Sequence, residues 1–331
     1  MKLKVISHLL LLLAALIWGL TFIAAKRLLI YFSPIEILMI RLMIAYSAIF
    51  LIKPKINPFR GIKIDGLIIL AGFLGIFISQ LSENIATLYT SATNISIIVA
   101  ASPIITAILA AIIFKNKIKP IFFIGFIVTM AGIILLSLNG KRLDFNPVGD
   151  LIAIIAAITW GGYTVIIKLV DKHKIHPIEI TRKVFFYSLV FISIASLFEK
   201  RTFEYKDFLV VENIIWFIFL GILGSGVAFF SWNYGVKQIK PISTAIYIYL
   251  IPVITFLAAP IFLDDENITL LGGLGLLITI IGIVISSLKL NKKESKEISL
   301  DSINDTLLNT NTCDSEGKQE PKENRPHEQE T

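Results

Sequence analysis

The chain has 331 residues, 55% of them hydrophobic, 17% charged, with a formal charge of +7. Soluble domains carry about 25% charged residues, so this composition, with a mean hydropathy of +0.79, excludes an ordinary soluble globule. The single cysteine, Cys313, excludes an intrachain disulfide, and the basic excess is read as a device for membrane orientation rather than nucleic-acid binding.

Ten apolar runs follow one another, at roughly 8–25, 34–52, 66–88, 92–114, 119–138, 148–170, 178–198, 213–236, 242–263 and 267–288. A helix of about 20 residues crosses a hydrocarbon core of about 30 Å. The pattern predicts an all-α polytopic membrane protein with ten transmembrane helices. The first run follows Met-Lys-Leu-Lys, as a signal peptide would. It is long, has no A-x-A site in place, and carries a motif that recurs later, so it is read as a span.

That motif is LIWGLTFIAAK at 16–26, repeated as ITWGGYTVIIK at 158–168. Further correspondences follow. Pro34-Ile35-Glu36-Ile37 matches Pro177-Ile178-Glu179-Ile180, Asn84 matches Asn233, Pro103 matches Pro252, and Gly125 and Gly132 match Gly275 and Gly282. Five spans per half is an odd number, so the second half must enter the membrane upside down. The expectation is two inverted five-helix repeats, 1–145 and 146–290, with a site near the midplane between them. Residues 291–331 are polar and poor in apolar residues, and read as a disordered cytoplasmic tail.

With the N-terminus in the cytoplasm, loops and ends on that side hold eighteen Lys and Arg against seven outside, and the loop after residue 263 (Asp264, Asp265, Glu266) is acidic. The bias predicts both termini in the cytoplasm of an inner or plasma membrane.

No P-loop, no H-E-x-x-H and no clustered Cys/His occurs, so neither ATP-driven transport nor a metal site is expected, and no cofactor. The nucleophile–base set of an enzyme is not visible. GILGSG at 221–226 is read as small residues that let membrane helices approach. The sequons at Asn94, Asn267 and Asn304 are short enough to arise by chance.

Polar and aromatic residues inside spans carry the functional signal, because each must face protein or water. Trp18 and Thr21 share one face of the first span, and Trp160 and Tyr163 the aligned face of the sixth. Helix packing is the alternative, but both tryptophans lie near mid-span, away from the aromatic belts, which favours a cavity lining. Gln80, Glu83 and Asn84 near the end of the third span face Trp232 and Asn233 of the eighth, and Tyr247 adds aromatic surface from the ninth. Either these residues bind a polar substrate or they join helices. Glu83 is the candidate proton carrier, or simply reaches water at its span end. Lys26 and Lys168 end their spans as snorkelling cations would. Glu36, Arg41 and Glu179 lie near span ends as candidate gates or structural pairs.

The WG…K first span resembles a known family when taken with Arg41-x-x-x-Ala45, the P-[IV]-x-T-x-[IL] pattern of the fourth and ninth spans, and the glycine-spaced fifth and tenth. Together they are similar to the EamA family of the drug/metabolite transporter superfamily, over about residues 8–290. The resemblance implies a secondary transporter of amino acids or other small metabolites. Its cavity would be lined by the first, third, fourth, sixth, eighth and ninth spans. That family often has a glutamate after its fourth and ninth spans. Glu266 fits, whereas FKNKI at 114–118 has none, so symmetric gating is not assumed. The expected function is alternating-access transport of a small polar metabolite, with export favoured. Uptake of S-adenosylmethionine or a nucleotide precursor, and a non-transporting membrane scaffold, are the alternatives. The expected partners are the substrate and the lipid bilayer, with proton coupling and oligomeric state open.

Overall fold

Proline and a side-chain cap set the start of several helices. Ser33 accepts from the backbone N–H of Glu36, Glu36 returns a bond to the Ser33 N–H, and Pro34 occupies the first helical position. That reciprocal box, with proline where its missing N–H costs nothing, starts a helix sharply after a short turn. Asn146 caps the helix beginning at Pro147, and His176 accepts from Ile178 N at the one beginning at Pro177.

The computed structural model describes residues 2–54, 58–90, 92–115, 117–138, 146–199, 204–262 and 269–288, without the side chains of residues 2, 92–94, 137 and 259. The ten spans are α1 (Lys2–Leu28), α2 (Pro34–Ile52), α3 (Ile62–Ala86), α4 (Ala92–Val99 with Ser102–Phe114), α5 (Pro120–Leu138), α6 (Pro147–Asp171), α7 (Pro177–Ser196), α8 (Val211–Gln238), α9 (Pro241–Phe262) and α10 (Leu270–Ser287). Eight are long and apolar enough to cross a membrane, and α5 is apolar over a shorter stretch, Pro120–Leu136. In α7, Glu179, Arg182 and Lys183 crowd the first two turns. The tail, the 264–266 acidic loop with Glu266, and the sequons at Asn267 and Asn304 lie outside the described residues, as does the side chain of Asn94.

Outward residues are apolar: Leu16, Ile112, Ile127, Leu151, Ile215 and Leu277 are each at least half exposed. In a bilayer that surface meets lipid, and the small and polar residues turn inward.

The chain is built of two inverted repeats, and their symmetry shows in the packing. At the crossing of α5 and α10, a Cβ on Gly125 would overlap Ser286, and one on Gly275 would overlap Leu136. One on Gly132 would strike Thr279, and one on Gly282 would strike Thr129. Each contact is the repeat image of another, because residues 125, 129, 132 and 136 correspond to 275, 279, 282 and 286. The two helices can touch backbone to backbone only because the four glycines lack side chains.

A second pair of images lies in α3 and α8. Both carry a π-helical stretch, Gly72–Ile78 and Phe219–Val227, at matching places. Gly72 abuts the Val184 carbonyl of α7, and Gly221 abuts the Ile44 side chain and the Arg41 carbonyl of α2. Gly75 abuts Tyr163 of α6 and Gly224 abuts Thr21 of α1. π turns interrupt the regular ladder and often occur where a helix serves function.

Candidate functional site

A small cavity, open to the surface, lies between α1, α3, α4, α6 and α9. It lies in the half of the bundle that contains the ends of α1 at Leu28 and of α3 at Ala86, hereafter the Leu28 end. Its floor is Trp18 and Trp160, and its walls are Thr21, Phe22, Val99, Ile248 and Ile251. Gln80 and Glu83 supply the polar rim. Aromatic and aliphatic walls with a few convergent polar groups are the kind of lining a small-molecule site uses.

The rim connects to a buried cation. Arg41, 4% exposed, donates through Nη1 to Gln80 Oε1 at 3.1 Å and through Nε to Ser225 Oγ at 2.9 Å. Gln80 Nε2 donates to Glu83 Oε2 at 3.4 Å. A guanidinium, an amide and a carboxylate thus form one chain, with opposite charges at its two ends. α2 brings Arg41 inward because the capping box holds its first turn against α3, where Asn84 Nδ2 donates to the Pro34 carbonyl at 3.4 Å.

Beneath the cavity lies an aromatic plug. The rings of Trp18 and Trp160 meet edge to face at 5.1 Å between centroids, and Trp232 stands 5.4 and 5.5 Å from them. Phe229 packs on Trp18 at 5.3 Å and Trp160 on Tyr163 at 5.2 Å. Edge-to-face contacts at these distances add to the burial of such large rings.

Below the plug, toward the end where α2 finishes near Lys53, ion pairs join the helices. Arg60 forks onto Glu179 at 2.9 and 3.1 Å. Lys183 pairs with Asp65 in the interior and donates to the Pro58 carbonyl at 2.7 Å. Lys168 bonds Asp171 and the Lys237 carbonyl, both at 2.9 Å.

Of the residues singled out in the sequence, Trp18, Thr21, Gln80, Glu83 and Trp160 line the cavity. Tyr163 and Trp232 belong to the plug. Asn84 and Asn233 do not converge, contrary to the expectation of amides from both halves at one site. Each ties its own helix to the preceding one, Asn84 to α2 and Asn233 to α7, with Asn233 donating to Thr181 Oγ1 at 2.9 Å and accepting from Tyr163 Oη at 2.7 Å. Tyr247 meets His8 of α1, away from the cavity lining. Glu36 closes its capping box, and Ser33 Oγ also donates to Glu199 at 3.0 Å. Arg41 turns toward the site through Gln80, and Glu179 is held by Arg60. Lys168 does not snorkel outward: it is tied down between α6 and α8. Sequence reasoning missed Phe22, Val99, Ile248 and Ile251, whose apolar side chains give no signal that separates a cavity wall from a lipid face. Among the described residues no group of three or more His, Cys, Asp and Glu could hold a metal.

The model of the EamA-like transporter family matches residues 5–138 and again 147–288. The chain belongs to the EamA-like transporter family. Each match takes one five-helix half, and the protein is therefore a multi-pass membrane transporter. It is 26% identical over 294 residues to the uncharacterized transporter YyaM of Bacillus subtilis, covering 84% of this chain and 93% of that protein. An uncharacterized transporter of Archaeoglobus fulgidus is likewise 26% identical, covering 86% and 98%. A solved crystal structure superposes with a TM-score of 0.70 at 16% identity, over 85% of this chain and 96% of that one. That likeness extends to the fold alone.

Proposed function

We propose that this EamA-family transporter is a secondary transporter that exports a small zwitterionic metabolite, an amino acid or close relative, by alternating access across the cytoplasmic membrane. The observation that carries this reading is the Arg41–Gln80–Glu83 chain at the rim of a cavity floored by two tryptophans. A zwitterion presents an ammonium to Glu83 and a carboxylate toward Gln80, on the Arg41 side. Its remaining surface packs on Trp18, Trp160 and the aliphatic wall.

In this reading 1–145 and 146–290 act as the two working repeats, 291–331 is a cytoplasmic tail, and both termini face the cytoplasm. The Leu28 end is then the outer one. The cavity is the outward-facing site, and the aromatic plug with the Arg60–Glu179 and Lys183–Asp65 pairs is the closed inner gate. Glu36 serves the outer side through its capping box. Glu83 carries the coupling proton as well as meeting the substrate, since a carboxylate at membrane depth is costly unless it works.

The test is exchange in proteoliposomes loaded with single labelled amino acids. The parent protein exchanges at least one of them, and Glu83→Gln loses the dependence of that flux on an imposed pH gradient. A panel with no exchanged zwitterion removes the substrate class, and an unaltered pH response in Glu83→Gln removes the proton role.

A further inference from the structure

The two halves are alike in sequence and packing, yet their hydrogen bonds differ where equivalent residues meet. In the first half's α1, the Trp18 indole Nε1 donates to the Gly224 carbonyl in the π-helical stretch of α8, at 3.0 Å. Its repeat image is Trp160 of α6, and the image of Gly224 is Gly75 in the π-helical stretch of α3. The helices cross in the same way, because Gly75 touches Tyr163 where Gly224 touches Thr21. Even so, the Trp160 indole N–H, on a residue only 4% exposed, has no partner.

A second, independent pair breaks symmetry in the same direction. Thr255 Oγ1 of α9 donates to the Gly19 carbonyl of α1 at 2.7 Å. The images are Thr106 of α4 and Gly161 of α6, which also lie side by side, with Thr106 N 3.2 Å from where a Gly161 Cβ would stand. Thr106 Oγ1, on a residue 1% exposed, is nevertheless unpartnered. A buried donor left without an acceptor costs free energy that a protein normally avoids. Several buried donors lack a partner, Trp232 Nε1 of the plug among them, but Trp160 Nε1 and Thr106 Oγ1 are each the image of a donor that is satisfied.

The cavity is asymmetric in step. Its residues Thr21, Phe22, Gln80 and Glu83 have as images Tyr163, Thr164, Phe229 and Trp232, three of which form the plug. A transporter built of inverted repeats reaches its opposite-facing state when the two halves exchange conformations. The exchange turns a made bond into its image wherever the same residue types stand in both halves, as the tryptophans and threonines do here.

We propose that Trp18–Gly224 and Trp160–Gly75 are the two positions of one hydrogen-bond switch, made alternately as the bundle opens to one side or the other, with Thr255–Gly19 and Thr106–Gly161 following it. In the conformation seen here the bonds of Trp18 and Thr255 are closed. The Trp160 indole, on the residue that floors the open cavity, is the one left without its image bond in this state. In the opposite state Trp160 takes the Gly75 carbonyl and Trp18 becomes the free donor. The switch rests on the alternating-access reading given above.

The test needs no substrate. Cys313→Ser removes the native thiol, and two reporters are introduced one at a time into the full chain in detergent. Val99→Cys reports the present cavity, and Thr164→Cys, the image of Phe22 and now 0% exposed, reports the opposite one. Maleimide labelling rates are then read in Trp18→Phe and Trp160→Phe backgrounds. Trp18→Phe removes a bond of the present state, so the Val99/Thr164 rate ratio falls. Trp160→Phe removes a bond of the opposite state, so the ratio rises. Each change is roughly two- to tenfold, as loss of one net hydrogen bond dictates. Thr255→Val and Thr106→Val, nearly isosteric, repeat the two directions if a tryptophan variant does not fold. Changes in one direction for both members of a pair, or no change, overturn the switch while leaving the transport reading intact. A Thr164→Cys reporter that never reacts in the chain with both tryptophans shows that no second state exists, and removes both.

Discussion

Lys183 shows how a single charge is tolerated inside the bundle. It is 7% exposed, its ammonium is shared between Asp65 and the Pro58 carbonyl, and Asp65 is fully buried. Removing one member of such a pair leaves the other as an uncompensated buried charge. Lys183→Met is expected to cost about 3–5 kcal/mol of stability, read as a fall in the thermal midpoint in detergent, and Lys183→Met with Asp65→Leu recovers most of it. Two single variants that melt like the parent would contradict the pairing. At the opposite end Glu199 shares Ser33 with Glu36. Burial pushes its carboxyl above the ordinary range, the Ser33 hydroxyl partly offsets this, and the Glu36 charge adds to it. A carboxyl raised on folding binds its proton more tightly in the native state, so its charge opposes folding above that range and stability is regained as pH falls through it. Glu199→Gln therefore raises the melting temperature at pH 7 and brings it closer to the parent's as the pH drops toward 4. The opposite pH trend would refute that account. The polar positions of the site were legible in the sequence because a polar or aromatic residue at mid-span demands a reason. What each one bonds was not: Asn84 and Asn233 look like a matched pair of ligands, and geometry makes them matched helix anchors.

Helix pairs follow the same reasoning at larger size. The fifth and tenth spans announce their contact by glycines at matching spacing, and the structure puts each glycine against the image of the other's neighbour. A leucine at Gly132 must push against the Thr279 backbone, and one at Gly282 against that of Thr129. Backbone cannot retreat as a flexible side chain can, so both Gly132→Leu and Gly282→Leu should cut the yield of folded protein, and by similar amounts. Gly273→Ala, where an added Cβ meets nothing within 4 Å, should leave it unchanged. Unequal losses would show that the crossing is not symmetric. The π-helical stretches of α3 and α8 could not be read beforehand, since the sequence alone gives no register for an extra residue per turn. Gly221 and Gly224 were legible only as small residues that let helices meet, and Gly72 and Gly75 drew no reading at all.

Across the whole molecule, the alternation of apolar runs with basic clusters carried most of the fold, because a bilayer leaves a helical chain few alternatives. The cavity walls were the illegible part. Val99 and Ile248 are images of one another and both face the cavity, yet apolar side chains that face a site and those that face lipid are the same residues. In the proposed orientation, which the charge asymmetry between loops supports, both ends face the cytoplasm. A reporter active only outside is therefore expected to be silent when fused at residue 331 and active near residue 144, and the reverse pattern would invert the assignment of the Leu28 end. The measurement that bears most directly on the account is exchange of labelled amino acids by proteoliposomes holding either the parent or Trp160→Ala, with folded protein matched between them. The account predicts saturable exchange of at least one zwitterion by the parent, reduced at least about tenfold when the indole floor is lost, as removal of a buried aromatic contact from a binding site requires. Equal flux in the two proteins would show that the transported molecule does not pass through this cavity.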